Sequence, residues 1–235
     1  MRLLAIETAT PSCSVALLCD GEPLELQVAA GRTQTEQVLP LVERLLAEAG
    51  MAPGRLDAIA VGRGPGAFTG VRVAVGVAQG LAFGLDVPAV PVSTLAALAL
   101  GAMREAGAER VLAALDARKG EVYWGAFRRA AEGVAPAGPE RVCRPASVPV
   151  PEGEGWLGAG SGFAEHGEAL AARLAGALAG TRPQARPHAA DVARLAAGEL
   201  AAGRAVAAEA LAPVYLRDDV ADVPGGTVKV HPASN

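Results

Sequence analysis

The most constraining part of this chain is an apolar run, a glycine-rich loop and a glycine-spaced apolar stretch in direct succession. Residues 57–61 read DAIAV and residues 62–70 read GRGPGAFTG. The stretch that follows, 71–84, carries Gly76, Gly80 and Gly84 at intervals of four. A short apolar run closed by glycine is a buried strand, and a longer apolar run is a helix. The succession is therefore strand, loop, helix, which requires an α/β chain. Only 3 % of the residues are aromatic. The core must be built from Leu, Val and Ala, and an aromatic platform for stacking bases is not expected.

A glycine-rich loop between strand and helix can receive an anion on backbone N–H groups at the helix start. It can equally be a tight connection with no ligand. It is not a Walker A loop, because it holds no lysine. Gly62, Gly64 and Ala67 match the dinucleotide fingerprint GxGxxG/A. That match fails in context, since the acid about 20 residues on, Asp86, precedes the next strand rather than ending it. The glycine spacing in 71–84 has two readings as well. Each mid-helix glycine costs about 1 kcal/mol relative to alanine unless close packing offsets it. The bare face packs either inside the lobe, against a helix over 35–49, or against another subunit.

The rest of the chain reads as strands first, then alternation. Residues 2–6, 14–19 and 24–29 are three antiparallel strands, with Asp20-Gly21 as a hairpin turn. Val38, Leu41, Val42, Leu45 and Leu46 recur on one face of a helix over 35–49, with Thr35 as N-cap and Pro40 near the first turn. Residues 88–92 form a strand, and Ser93 caps a helix over 94–106. Strands restart at 110–115 and 121–127. Residues 132–155 are irregular or edge strand, 156–160 a short strand and turn, and 164–179 and 188–201 alanine-rich helices. The division predicted is an N-terminal lobe over 1–95, a C-terminal lobe over 96–216 and a loose tail over 217–235.

Charge and cysteine content narrow the function. Net charge is −4, whereas a protein gripping RNA unaided normally shows a basic balance. Three cysteines without a CxxC fit a reducing cytoplasm and offer no zinc site. Residues 71–85 and 87–103 are nearly apolar but broken by glycine or proline, short of the clean run of about 20 that a membrane span needs. His166, His188 and His231 lie far apart in sequence and read as surface histidines. Glu7 and Asp116 are similarly placed acids, each between two strands. Alone, each is a turn carboxylate. With the stretch GAGSG at 158–162, they are compatible with a nucleotide-binding ancestor. The candidate phosphate-loop residues are thus Glu7, Thr8, Gly62, Gly64, Gly66, Thr69, Asp116, Gly158 and Gly160.

The motifs IETAT, CSVAL, GRGPGAFTGVR, GVAQGLAFG, VSTL, LDARKGEVYW and PVYLR together resemble the TsaB (YeaZ) family, over residues 1 to 217. The resemblance implies a two-lobed actin-like ATPase fold, ribonuclease H-like in topology, with a mixed sheet and flanking helices in each lobe. It implies a non-catalytic partner of TsaD, the metal-containing enzyme that places threonylcarbamoyl on N6 of adenosine 37 in tRNAs reading codons that begin with A. It implies a TsaE-type ATPase as a further partner, a homodimer when alone, tRNA contact through the complex, and no membrane. Carried onto this chain, the pairing surface comprises Val38, Leu41, Val42, Leu45, Val73, Gly76, Val77, Gly80 and Gly84. No catalytic residue and no metal ligand is expected, and no tightly bound cofactor, with ATP or ADP held weakly at a lobe or subunit interface. Gln34 stands where some relatives carry histidine. The competing reading is a self-sufficient phosphotransferase with ATP-Mg between Glu7, Gly64, Gly66, Asp116 and Gly158. A metalloprotease is a third.

Overall fold

The computed structural model describes residues 1–31 and 33–217. The predicted tail lies outside the described residues apart from Arg217, and so does His231. Three antiparallel strands open the chain: β1 (Arg2–Glu7), β2 (Ser12–Cys19) and β3 (Leu24–Ala29). Helix α1 (Gln34–Glu48), strand β4 (Ala58–Gly62), helix α2 (Phe68–Leu85) and strand β5 (Ala89–Val92) complete the first sheet and its outer layer. The sheet order is β3-β2-β1-β4-β5, with β1, β4 and β5 parallel.

Helix α3 (Thr94–Ala106) leads into β6 (Arg110–Asp116), β7 (Val122–Ala130), β8 (Gly133–Pro136) and β9 (Arg141–Cys143). Then come β10 (Trp156–Ala159), α4 (Ser161–Glu165), α5 (Gly167–Arg173), β11 (Leu178–Arg182) and α6 (Ala189–Ala201). The second sheet runs β11-β10-β6-β7-β8, with β9 paired to the free stretch of β7. Both sheets repeat one topology: an antiparallel three-strand meander whose first strand continues into two parallel strands. This is the two-lobed, actin-like arrangement.

Period-two alternation divides each sheet between two cores. In the first, Leu4, Ile6, Val15, Leu17, Ile59 and Val61 point to α1 and α2, while Leu3, Ala5, Ala16, Ala58 and Ala60 point to α6. The α6 side is alanine on alanine: Ala189, Ala193 and Ala196 face those small strand residues, so helix and sheet approach closely. In the second sheet, Val111, Ala113 and Leu115 face α3, and Leu112 and Ala114 face Trp124, Trp156 and Phe163. The helices are thus exchanged. Helix α3 follows the first sheet but packs on the second; α6 follows the second and covers the first. Residues 189–201, assigned from sequence to the C-terminal lobe, are structurally part of the first, as are Ala208 and Leu211. Where the two helices meet, Arg104 of α3 lies 3.0 Å from Asp191 of α6, whose side chain is buried.

Several expectations are corrected. Helix α1 starts at Gln34 with Thr33, not Thr35, at the N-cap, and Pro40 sits past the first turn. Helix α2 begins three residues before Val71, inside the loop. The helix expected over 164–179 is two short helices followed by β11: the chain leaves helical geometry at His166, and Gly176, at φ 85°, lies in the turn between α5 and β11. Ser93 caps α3 as expected, its Oγ accepting from Ala96 N at 3.2 Å. By length and hydropathy α2 passes as a membrane-spanning helix, at 18 residues and mean hydropathy 1.4. One of its faces is nevertheless committed to the first core through Val71, Ala74, Val75, Ala78 and Ala82.

Candidate docking face and interlobe cleft

The glycine-rich loop closes on the chain itself. A Cβ on Gly62 would stand 1.9 Å from Glu7 Oε2, one on Gly66 2.6 Å from Ala9 O, and one on Gly70 2.1 Å from Thr8 O. On Gly64 it would meet Val214 O at 3.0 Å. These glycines are needed because β1's end and the carboxy-terminal segment press against the loop. The second glycine stretch behaves alike: a Cβ on Gly158 would stand 2.5 Å from the Phe163 ring and one on Gly160 2.4 Å from the carbonyl oxygen of Ala114. Packing accounts for both stretches without a ligand.

Glu7 and Asp116 end equivalent strands but do not share a site. Glu7 is 1 % exposed, with its carboxylate accepting from Ala9 N at 2.6 Å and Thr94 Oγ1 at 3.1 Å. Burial pushes its pKa up to about 7, although those hydrogen bonds and the charge of His188 pull the other way. Thr8 is also buried, its hydroxyl donating to Gly70 O. Asp116 instead lines the cleft between the lobes, a space of about 850 Å³. Of the nine candidate loop residues, only Gly66, Thr69 and Asp116 reach that cleft. The set proposed to surround ATP-Mg is therefore dispersed, and the phosphotransferase reading is not favoured.

Sequence reasoning missed several local features, some at the cleft and some away from it. The turn after Asp116 holds Arg118, Lys119 and Gly120 all at positive φ, 62°, 54° and 72°. His166 Nε2 lies 3.5 Å from Asp116 Oδ1, and His188 Nδ1 lies 3.3 Å from Glu25. Neither is the surface histidine expected. Gln34 is buried and donates to Thr10 O at 2.7 Å. Among the described residues, no three of His, Cys, Asp and Glu converge on one point. The segment before Arg217 spans the lobes: Val214 N donates to Arg63 O, and Arg217 donates to Ala117 O and to Glu121.

The proposed pairing residues divide into two groups. Val38, Leu41, Val42 and Leu45 are at most 6 % exposed and belong to the first core. They are corrected to core residues, because the apolar face of α1 is the one that covers the sheet. Val73 and Val77 are half-buried against the same core. Gly76, Gly80 and Gly84 are different: among the described residues, a Cβ at any of them would meet nothing within 4 Å. The glycine row does not pack against α1, as one reading had it. It lies open on α2, beside Phe83, which is 68 % exposed.

Similarity to known proteins decides the family. The TsaD sequence profile, tRNA N6-adenosine threonylcarbamoyltransferase, matches residues 28–224. The tRNA threonylcarbamoyladenosine biosynthesis protein TsaB of Escherichia coli K12 is 41 % identical, covering 94 % of this chain and 96 % of its own. The chain belongs to the TsaB family. The TsaB of Haemophilus influenzae is 37 % identical over 94 % of this chain and 95 % of its own. The solved structure of YeaZ from Pseudomonas aeruginosa superposes with a TM-score of 0.85 at 46 % identity, covering 92 % of this chain and 99 % of that one. A TsaB-family chain thus matches the profile of the threonylcarbamoyltransferase as well. Its own two glycine stretches are filled by its own atoms, while the glycines of α2 are left bare.

Proposed function

We propose that this chain is a non-catalytic partner subunit of a TsaD-type enzyme in forming N6-threonylcarbamoyladenosine at position 37 of tRNAs that read codons beginning with A. The observation that carries this reading is the open row of Gly76, Gly80 and Gly84. Three mid-helix glycines together cost roughly 2–3 kcal/mol, and nothing among the described residues packs on them to offset that cost. A second helix lying along the row would, because small residues let two backbones approach closely. Family membership supports a role in the same biosynthesis as its TsaB relatives. The accessory role is supported by the side-chain set: His166 and His188 stand on different lobes, each beside a single carboxylate.

On this reading the chain works in the cytoplasm, where tRNA is modified, and reaches tRNA through the complex. A TsaE-type ATPase joins the same assembly, and the chain self-associates through the α2 face when its partner is absent. It holds no tightly bound cofactor, and ATP or ADP binds weakly at a lobe or subunit interface. Depletion of the chain in its own cell, followed by mass spectrometry of tRNA nucleosides, is the decisive experiment. Threonylcarbamoyladenosine is expected to fall. A fully modified tRNA pool would overturn the assignment. Calorimetry with ATP and Mg²⁺ on the isolated chain tests the accessory role separately: tight stoichiometric binding with turnover would restore the phosphotransferase.

A further inference from the structure

The row of bare glycines has a charged end. Phe68, Arg72, Gly76, Gly80 and Gly84 follow one another at intervals of four along α2. Arg72 is the only charged residue among the helix's 18. Its guanidinium carbon lies 3.7 Å from the centre of the Phe68 ring and 5.5 Å from that of Tyr215. Its Nε donates to the Tyr215 hydroxyl at 2.7 Å. Both rings are themselves about two-fifths exposed, at 42 % and 41 %.

The cation is held in place yet unpaired. Among the described residues no carboxylate approaches Arg72, whereas Arg2, Arg44, Arg104, Arg129, Arg194, Arg204 and Arg217 each have one. Its position does not serve the helix, because a cation near the amino-terminal end opposes the helix dipole. Stacking on two rings removes most of the rotamer freedom an exposed arginine would lose on binding. Tyrosine and arginine pre-organised at the edge of an apolar face are the residue types that dominate interface energetics.

We propose that Arg72, clamped by Phe68 and Tyr215, is the charged anchor of the docking face. Its occupant is a helix of the partner subunit that lies along the glycine row and presents an Asp or Glu to the guanidinium. Charge complementarity selects that occupant: the rest of the row is uncharged, so a single carboxylate at this end satisfies the face. This rests on the reading that the α2 row docks a partner subunit.

The test uses the full chain and the purified threonylcarbamoyltransferase subunit of the same cell. Affinity is measured for Arg72→Glu, Arg72→Lys, Tyr215→Phe and Gly80→Leu, with self-association followed by sedimentation. Arg72→Glu is expected to weaken pairing by at least about thirtyfold, and one charge reversal among the partner's exposed acids to restore it. Tyr215→Phe, which keeps the ring and loses the acceptor, should weaken it by about threefold to tenfold. It carries the test, with Arg72→Lys, if Arg72→Glu does not fold. If Gly80→Leu breaks the complex and the Arg72 and Tyr215 variants do not, the face docks but Arg72 is not its anchor. If none of them weakens pairing, the docking reading falls and this inference with it. Loss with no restoring reversal, or loss of self-association alone, also overturns it, the latter because a second copy is then the occupant.

Discussion

At the scale of single residues, Glu7 shows how one fold position changes a side chain's chemistry. It ends a central strand, where sequence suggests a phosphate-site acid, but Ala9, Thr94 and Gly62 enclose it. Its pKa moves from 4.5 to about 7 because burial disfavours the charge. A carboxyl whose pKa rises on folding binds its proton more tightly in the native state. Its contribution is fully present below pH 4.5 and lost as the pH climbs through about 7. Glu7→Gln should remove that dependence, since its carbonyl can accept from Ala9 N and its amide can donate to Thr94 Oγ1. The variant is expected to match the parent in acid and to exceed it above neutrality by up to about 3 kcal/mol. Denaturant unfolding across that pH range checks this; parallel curves for the two proteins would show that Glu7 does not titrate in the fold.

Among the elements, α2 and the loop before it separate two uses of glycine that look identical in sequence. Gly70 faces a carbonyl oxygen 2.1 Å from where its Cβ would be, and a Cβ on Gly80 would meet none of the described residues within 4 Å. Gly70→Ala is therefore expected to destabilise the isolated chain by about 1–3 kcal/mol through overpacking. Gly80→Ala should stabilise it by about 0.5–1 kcal/mol, because alanine is the better helix former, while weakening pairing with the enzyme subunit. Thermal unfolding of the two variants tests the contrast, and equal destabilisation by both would mean that the row is covered within the chain. The helix itself was legible from its apolar run, and so was the Ser93 cap. The residues that use the helix were not. Periodicity marks Val38, Leu41, Val42 and Leu45 as one apolar face, but an apolar face is equally the signature of a core and of an interface. Only the sheet beneath α1 decides between them.

For the whole molecule, the exchange of α3 and α6 makes the two lobes interdependent. Leu3, Ala5, Ala58, Ala60, Val90 and Val92 are covered by helix α6, which begins only at Ala189. A fragment ending at Ala106 contains every strand of the first sheet but leaves one face of it in water. Such a fragment is expected to stay unfolded or aggregate, and to gain a cooperative transition only when residues 107–217 are supplied with it. Circular dichroism and thermal unfolding of the fragment decide this; a cooperative melt of the fragment alone would show that α6 is dispensable. The carboxy-terminal segment adds a second tie, with Leu211 in the first core and Arg217 on the β6–β7 turn.

Local information determined the strands of the first meander, two of the second, the main helices and the family, because alternation, caps and long motifs are written in neighbouring residues. The actin-like repetition was implied by resemblance rather than by pattern, since the fifth strand of the second sheet hides in a stretch as alanine-rich as a helix. Tertiary structure alone decided which glycines are filled and which are bare, that Glu7 is sealed away from the cleft, and that Phe68, Arg72 and Tyr215 meet. Each of these depends on what distant chain is pressed against a residue, and that distance is not encoded in local spacing.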